Sequence, residues 1–467
     1  MSITTLREHI CLFAIISISW QCVGCSEANN SSKHGDSTVV VPEGQQIADS
    51  DSPQPSVANS QESVGGDEER SSGAVEQRGD SDEQSNSSAS FAWPIWRGPQ
   101  GTGISSETGL LHSFPDSGPP ILWRAKLGTG YSGIAVADGR AFTLYGAGGR
   151  EYVACFDVNS GQELWKVDSD SDFAEGRSPG PRAMPCVDGD RVYTVGASGH
   201  MLCLDANSGN EIWTIDLTKD FGMRLHEEGL SPSPLIDGEK LIIVAGTRGA
   251  SVLALNKMDG KVIWKSLGEP VNHATPSLVN IDGRRQLLVL TAQNLVGLSP
   301  EDGSELWRFP QQAVNIATPV AGPDNQVFIG ASYGFGCQLV KVRGGKAEQV
   351  YKNNNMASHH ATPVLYDGYL YGFHDRVGLF KCIDFASGEE QWVSREAGKG
   401  NIMIADGQII LLNEEGTLML APVSPQEFAP TASVQLLKGT CYTAPTLADG
   451  KLFLRSDQEM VCIDLGK

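Results

Sequence analysis

The hydrophobic pattern of the chain consists of short alternating runs separated by turns, which predicts β-strands. Arg191–Val195 alternates polar with apolar residues, and no useful window keeps a helical period. Asp-Gly pairs recur between these runs, and Gly suits a two-residue hairpin turn because it tolerates positive φ. The pairs, with Asp-Asn as the fifth, begin at Asp138, Asp188, Asp237, Asp282, Asp324, Asp367, Asp406 and Asp449.

These turns mark one unit that is repeated eight times between residues 92 and 467. A regular unit has a strand ending at the Asp-Gly turn, an apolar strand, a small-residue strand ending in Asp, and a strand with Trp, and the seventh unit has lost this Trp. The turns are 39 to 50 residues apart, which is the length of a four-stranded propeller blade. The predicted fold is therefore all-β, a single eight-bladed β-propeller. The expected packing residues are Trp123, Trp165, Trp213, Trp264, Trp307 and Trp392, with Tyr351 in the Trp position of the fifth unit.

The two ends of the repeat region predict how the ring closes. The eighth unit ends at Asp464 without a Trp strand, and an orphan Trp strand, residues 120–125, precedes the first unit. If this N-terminal strand completes the last blade, no sheet edge is left unpaired. Two stacked four-bladed rings are the alternative, but they would need two orphan strands. One closed ring is the better interpretation.

The repeat resembles a known family at the residues around its second turn. The pattern D-x-x-S-G-x-x-x-W in Asp157–Trp165, Asp205–Trp213 and Asp384–Trp392 resembles the tryptophan-docking repeat of the pyrroloquinoline-quinone (PQQ) propeller superfamily. The segment from Trp93 to Gly103 resembles the opening of such domains. The resemblance implies one of two functions. Quinoprotein dehydrogenases oxidise alcohols or sugars with PQQ and calcium, whereas cofactor-free members, such as the lipoprotein of the outer-membrane β-barrel assembly machine, bind proteins.

Residues 1–25 are predicted to be a lipoprotein-type signal peptide. The apolar run Ile10–Trp20 is about half the ~20 residues that span a bilayer and fits the h-region of a secretory signal. Residues 22–26 resemble the lipobox of bacterial lipoproteins, which implies lipidation of Cys25. The alternative is ordinary cleavage near Gly24. A lipid on Cys25 would anchor the mature protein to a bacterial membrane, facing the periplasm or exterior, without a transmembrane helix.

Composition separates a tether from the repeat region. Residues 26–90 contain 13 acidic residues against Lys33, Arg70 and Arg78, and almost no large apolar residue. Such a segment cannot bury enough surface to offset its chain entropy, so residues 26–91 are predicted to be a disordered acidic Ser/Gly-rich linker. The net charge of the whole chain is -21, which argues against nucleic acid as a partner.

Candidate binding residues come from the start of each innermost strand, because these strands converge on the propeller axis. The residues just before the Pro of the repeat should meet at one mouth of the channel, and they include histidines, tyrosines and an arginine that could bind a metal or an anionic ligand. A polar, wet channel without a ligand is the alternative. The candidates are Tyr131, Arg182, Ser231, His273, Asn315, His359, His360, Asn401 and Tyr442.

The cysteines argue against the dehydrogenase. The resemblance implies adjacent cysteines in a quinoprotein site, and the sequence has no Cys-Cys pair. Cys155, Cys203, Cys382 and Cys462 share one repeat position and are expected to be small buried strand residues. No catalytic residue and no metal site are predicted. The predicted function is a membrane-tethered scaffold that binds envelope proteins or a small ligand at the propeller mouth. The alternative is a dehydrogenase with PQQ and calcium.

Overall fold

The computed structural model describes residues 91–174, 179–247, 249–314, 316–374 and 378–467. These residues form eight four-stranded antiparallel sheets, which we call blades 1 to 8. The described helical structure is one short helix, α1 (Leu217–Phe221), and a 3₁₀ turn at Pro323–Asn325. The described residues therefore confirm the prediction of an all-β, eight-bladed propeller.

The strands follow the chain order in every blade except the last. The first strand is β1 (Ile121–Lys126). Blades 1 to 4 contain β2 (Ala135–Ala137), β3 (Arg140–Ala147), β4 (Arg150–Asp157), β5 (Glu163–Ser171), β6 (Cys186–Asp188), β7 (Arg191–Val195), β8 (His200–Asp205), β9 (Glu211–Asp216), β10 (Leu235–Asp237), β11 (Lys240–Thr247), β12 (Ala250–Asn256), β13 (Val262–Ser266), β14 (Ser277–Ile281), β15 (Arg284–Leu290), β16 (Asn294–Leu298) and β17 (Glu305–Pro310).

The second half of the ring repeats this arrangement. Blades 5 to 8 contain β18 (Val320–Gly322), β19 (Gln326–Ala331), β20 (Gly336–Arg343), β21 (Lys346–Asn353), β22 (Val364–Tyr366), β23 (Tyr369–His374), β24 (Leu379–Asp384), β25 (Glu390–Ser394), β26 (Gly400–Ala405), β27 (Gln408–Asn413), β28 (Thr417–Pro422), β29 (Ala432–Gln435), β30 (Thr446–Ala448), β31 (Lys451–Arg455) and β32 (Glu459–Asp464).

Blade 8 closes the ring with the N-terminal strand. The sheet order is β1-β32-β31-β30, and β1 pairs antiparallel with β32, with Trp123 opposite Cys462. Strand β1 thus takes the outer position that β5, β9 and β13 take in blades 1 to 3. The prediction that residues 120–125 complete the last blade is confirmed.

The repeated Trp of one blade lies against the repeated Gly of the next blade. The Trp213 Nε1–H donates to the carbonyl of Lys257 at 3.1 Å, and a Cβ on Gly260 would come 3.2 Å from the Trp213 ring. Gly260 also has φ +71°, a conformation that other residues adopt only with strain. The Gly and Trp of the repeat therefore form one contact, made between neighbouring blades. The same pairing joins Trp123 with Gly161, Trp165 with Gly209, Trp264 with Gly303, and Tyr351 with Gly388.

The junction between blades 4 and 5 departs from this pattern. The Nε1–H of Trp307 donates to Oε1 of Gln286 in its own blade at 2.6 Å, not to a carbonyl of the next blade. In blade 5, Tyr351 replaces Trp and its hydroxyl donates to the carbonyl of Phe385 at 3.1 Å, so the docking bond survives the substitution. The irregular fifth unit therefore changes one junction of the ring without opening it.

A buried arginine joins blade 8 to the chain that leads into blade 1. Arg455 is fully buried, and its guanidinium donates to the carbonyls of Gly130, Ser132 and Leu144 and to the Thr143 hydroxyl at 2.8–3.2 Å. Burial lowers the pKa of Arg455 to about 10, so the side chain stays charged at neutral pH. The charge is stabilised by backbone carbonyls that lie on the other side of the junction between blades 8 and 1. This contact is not part of the repeated pattern.

Among the described residues, no helix is long and apolar enough to cross a membrane. The predicted signal peptide with Cys25, and nearly all of the predicted linker, lie outside the described residues.

Candidate functional site

The antiparallel strand order gives the ring two different faces. The lower face carries the Asp-Gly turns and the turns before each Trp strand. The upper face carries the loops that link consecutive blades and the turns between second and third strands. The described mouth residues predicted from the sequence belong to the upper-face loops or lie at the first residues of the innermost strands. The two faces must therefore be considered separately.

The lower face is covered by residues 91–111, which we call the N-terminal segment. Backbone hydrogen bonds tie this segment to successive blades: Trp93 to Val136, Ser105 to Ile404, and Leu111 to Leu465, at 2.7–3.0 Å. Its side chains and amides also bond to Asp-Gly turns, including Leu110 N–H to Asp406 and Glu107 to Gly450 N–H. The segment runs across the ring and covers one end of the axial channel.

The channel itself is filled by Trp96 and Arg97. The Trp96 Nε1–H donates to the Thr318 hydroxyl at 3.0 Å, and Arg97 donates to the carbonyls of Thr362 and Pro363 at 3.0–3.1 Å. Burial lowers the pKa of Arg97 to about 9. A pocket beside them, lined by residues of blades 1, 2, 6, 7 and 8, has a volume of about 20 Å³. That volume is on the scale of one water molecule, not of an organic cofactor.

At the upper mouth, five of the predicted residues come together. Tyr131 and Tyr442 have ring centroids 4.8 Å apart, Tyr442 and His360 are 4.9 Å apart, and His360 and His359 are 5.3 Å apart. The Asn401 side chain donates to the carbonyl of Tyr442 at 3.0 Å. Burial raises the pKa of both Tyr131 and Tyr442, so both phenols are neutral near pH 7. The mouth is a packed aromatic cluster with polar edges.

Two charged residues that the sequence did not single out complete this cluster. The Lys399 ammonium lies 2.6 Å from Glu414 and 5.5 Å from the centroid of the Tyr442 ring. Glu414 also lies 3.4 Å from His360 Nε2. Desolvation, followed by the charge of Lys399, lowers the pKa of His360 well below its usual value, so the imidazole is neutral. The charges of Lys399 and Glu414 therefore neutralise each other beside the cluster.

The other predicted residues that the structure describes lie outside the aromatic cluster. Arg182 donates to the carbonyl of Gly180 at 2.6 Å and stacks over Phe173 at 4.9 Å. Ser231 and His273 are joined to each other, with Oγ 3.1 Å from Nδ1. Asn315 lies outside the described residues.

His273 belongs to a second group that the sequence reasoning missed. Its Nε2 lies 3.0 Å from Glu228 Oε2, and the His226 ring packs edge-on against it with centroids 4.6 Å apart. Desolvation and the neighbouring His226 lower the pKa of His273. His226 and Glu228 lie in the loop between blades 2 and 3, away from the Pro of the repeat. The one signal in the sequence was the spacing His-x-Glu within that loop.

The described mouth residues do not fit PQQ with calcium. The seven described cysteines are free and buried in separate places, so no pair of neighbouring sulfurs is present among them. Glu414, the carboxylate in contact with the mouth cluster, is already paired with Lys399. A quinone site also needs a ligand-sized cavity, and Trp96 and Arg97 fill the axis below the mouth.

A closed ring in which an aromatic residue of six blades docks on the next blade defines a PQQ-repeat β-propeller. Residues 149–394 match the family described as outer membrane protein assembly factor BamB. This match covers more than half of the chain, so the protein belongs to that family. No curated protein matches the chain.

Solved structures share the fold at low sequence identity. BamB from Moraxella catarrhalis is 15% identical, with a TM-score of 0.56, over 74% of this chain and 99% of that one. The quinohemoprotein alcohol dehydrogenase from Comamonas testosteroni is 11% identical, with a TM-score of 0.56, over 80% of each chain. The computationally designed protein Ika8 is 13% identical, with a TM-score of 0.52, over 74% of this chain and 100% of that one. At these identities the similarity shows the propeller fold alone.

Proposed function

We propose that the protein is a membrane-tethered scaffold of the bacterial cell envelope that binds a partner protein through its upper face. The observation that carries the proposal is a pair of adjoining hollows on that face, each about 530 Å³, which share Asn272. Leu225, Val314 and Tyr333 line these hollows with 42–52% of their surface exposed. Exposed apolar side chains beside concave surface are typical of protein-interaction sites.

The lower face and the axis support the same choice by contrast. The N-terminal segment already bonds to the Asp-Gly turns of the lower face, and Trp96 and Arg97 occupy the channel. The upper face thus combines accessible apolar surface with loops that differ from blade to blade. Variable loops on a rigid scaffold are where binding surfaces are usually built.

The family adds a partner class to this surface. Its description, outer membrane protein assembly factor, supports a partner that takes part in the assembly of outer membrane proteins. Because the structural relatives also include an alcohol dehydrogenase, the family match and the filled axis are the arguments that favour the scaffold over an oxidoreductase.

Site-specific photo-crosslinking in intact cells tests the proposed surface. A photoreactive residue replacing Tyr333 or Val314 is expected to give a discrete crosslink to an outer membrane assembly protein. Val393 is the matched control, because it is 48% exposed on the outer strand of blade 6, away from the hollows. Equal crosslinking from position 393, or none from 333 and 314, would contradict the proposal.

A ligand test separates the scaffold from the dehydrogenase. PQQ and Ca²⁺ are added to the purified protein, and the thermal melt and reduction of a dye with alcohols or sugars are recorded. A ligand at 100 times its dissociation constant would stabilise the fold by about 2.7 kcal/mol. We expect no shift and no dye reduction. A shift of the thermal melt that is lost in Arg182→Ala would overturn the proposal that the protein is a scaffold.

The tether is proposed from the sequence of residues 1–91. Lipidation of Cys25 would hold the propeller on a membrane through a flexible acidic linker whose r.m.s. reach is about 45 Å. Cys25→Ala is expected to move the protein from the membrane to the soluble fraction, with Cys22→Ala as the control that keeps it membrane-bound. A wild-type protein that is fully soluble and carries no lipid would refute the anchor.

A further inference from the structure

Two histidines and a glutamate meet at the wall of one upper-face hollow, between the loops that precede and follow blade 3. Glu228 Oε2 lies 3.0 Å from His273 Nε2 and 3.2 Å from His226 Nδ1. One ligand atom from each residue lies within 4.8 Å of the other two. A zinc ion with bonds of about 2.0–2.1 Å in tetrahedral geometry separates neighbouring ligand atoms by about 3.3 Å. The two measured separations are close to this value.

One pair of tautomers of His226 and His273 shows why a cation suits these three side chains. Ser231 Oγ lies 3.1 Å from His273 Nδ1, and in the tautomer whose Nδ1–H donates to this hydroxyl, the lone pair of Nε2 faces Glu228. The backbone N–H of Glu228 lies 3.4 Å from His226 Nδ1, which also fits an unprotonated nitrogen. Lone pairs on both nitrogens would then face one carboxylate oxygen. A cation between them converts this repulsion into coordination.

The surroundings of His273 also resemble those of a metal-binding histidine. The His273 side chain is 5% exposed and is oriented through its second nitrogen by Ser231, the kind of outer contact that fixes a metal-binding imidazole. Glu228 and His226 are about half exposed, so they are free to adjust. Both histidines line the hollow of about 530 Å³, which leaves solvent access to a fourth ligand position.

The geometry points to a divalent metal site formed by His226, Glu228 and His273, with zinc as the fitting ion and one coordination position open to the upper-face hollow. Two histidines with one glutamate are a ligand set that zinc uses when a fourth position is kept for water or another ligand. An oxygen or nitrogen ligand from outside the chain could occupy that position. This site is independent of the proposed partner, because it needs no second protein to form.

Metal binding to the purified full chain tests the site directly. Zn²⁺ is titrated by calorimetry into the metal-free protein, and Co²⁺ is added separately to record the visible absorption of a tetrahedral cobalt site. We expect one bound ion per chain, with at least a tenfold loss of affinity in Glu228→Gln and His273→Ala. Glu228→Gln keeps the shape of an exposed side chain, so its fold is expected to be intact, and its melt without metal checks this.

His112→Ala is the matched control. His112 also contacts a carboxylate, with Nε2 2.9 Å from Asp406, but it lies on the lower face without a second histidine. This variant should bind zinc like the wild type. The inference is overturned if the wild type binds no zinc, or if zinc binding survives unchanged in Glu228→Gln and His273→Ala. In either case Glu228 is only a hydrogen-bonding partner of the two imidazoles.

Discussion

The same strands end in recurring turns on the lower face of the propeller and in differing loops on its upper face. On the lower face, the regular repeats supply the same turn. Asp205, for example, accepts hydrogen bonds from Asn207 and Ser208, and Gly209 receives Trp165 of the preceding blade. On the upper face, the loops differ from blade to blade, and titratable groups on that side are buried or paired, such as His273, Glu414 and Glu151.

This difference separates the residues that hold the blades together from the residues that interrupt the repeat. Residues that recur with the repeat make contacts between blades, so their side chains are already occupied. The groups that remain for chemistry or binding are those that interrupt the repeat. The contrast predicts large losses of stability from changes to the lower face and the closure, and small ones from the exposed upper face.

The largest effect is expected from deleting residues 92–126. This removes the N-terminal segment and β1, which exposes the edge of β32 and empties the channel. The product should be insoluble, or cleaved rapidly by protease, because an unpaired edge strand promotes aggregation. Deleting residues 26–91 is the control and should leave the melt of the propeller unchanged. A 92–126 deletion that melts like the intact protein would show that closure by β1 is not needed.

Trp213→Ala should cost roughly 3–5 kcal/mol of unfolding free energy, as large-to-small core changes do. The change removes the docking bond to Lys257 and the contact with Gly260. Ile212→Ala is the control, since Ile212 is 41% exposed beside it, and should stay within about 0.5 kcal/mol. Denaturant unfolding measures both. A cost for Trp213→Ala that is as small as that of Ile212→Ala would contradict the docking role.

Glu151 should make stability fall as pH rises from 4 to 8. Burial raises its pKa to about 7 from 4.5, so the folded state binds more protons than the unfolded state across this interval. By linkage, the contribution is complete below about pH 4.5 and is lost as pH rises through 7, amounting to about 3 kcal/mol. Urea unfolding at several pH values measures it. Glu151→Gln should flatten the dependence, whereas an unchanged slope would assign it to other groups.

The smallest effect on stability is expected at the exposed upper face. Tyr333→Ala should change the unfolding free energy by less than about 0.5 kcal/mol, because 52% of Tyr333 is exposed. The same variant should weaken binding of the partner, measured by co-purification from cross-linked membranes. A stability loss comparable to that of Trp213→Ala would make Tyr333 a structural residue and would erase the contrast between the faces.

Most of the fold could be predicted from the sequence because its signals are local and repeated. The Asp-Gly turns and the orphan Trp strand fixed the number of blades and the closure. Arg97 and Arg455 could not be assigned in this way, since each donates to carbonyls that lie more than 260 residues away in the chain. A carbonyl carries no side-chain signal, so such a bond is visible only in three dimensions.

The candidate site was predicted less completely for a related reason. The rule based on the innermost strands brought Tyr131, Tyr442, Asn401, His359 and His360 together, since all lie near the axis. The same rule placed His273 in this group, whereas the structure shows that His273 contacts His226 and Glu228 of the preceding loop. His226 and Glu228 escaped notice because loop geometry, not periodicity, brings them to His273.

The pairing of β1 with β32 has a consequence for how the molecule is made. The strand that closes the ring is synthesised before any blade, and its partner is synthesised after all of the others. During synthesis, β1 has no partner, and blade 8 stays incomplete until its last strand is made. A contact between such distant parts of the chain forms slowly, and the open intermediate exposes two adhesive edges. Newly synthesised chains are therefore expected to associate with one another through these edges until the ring closes.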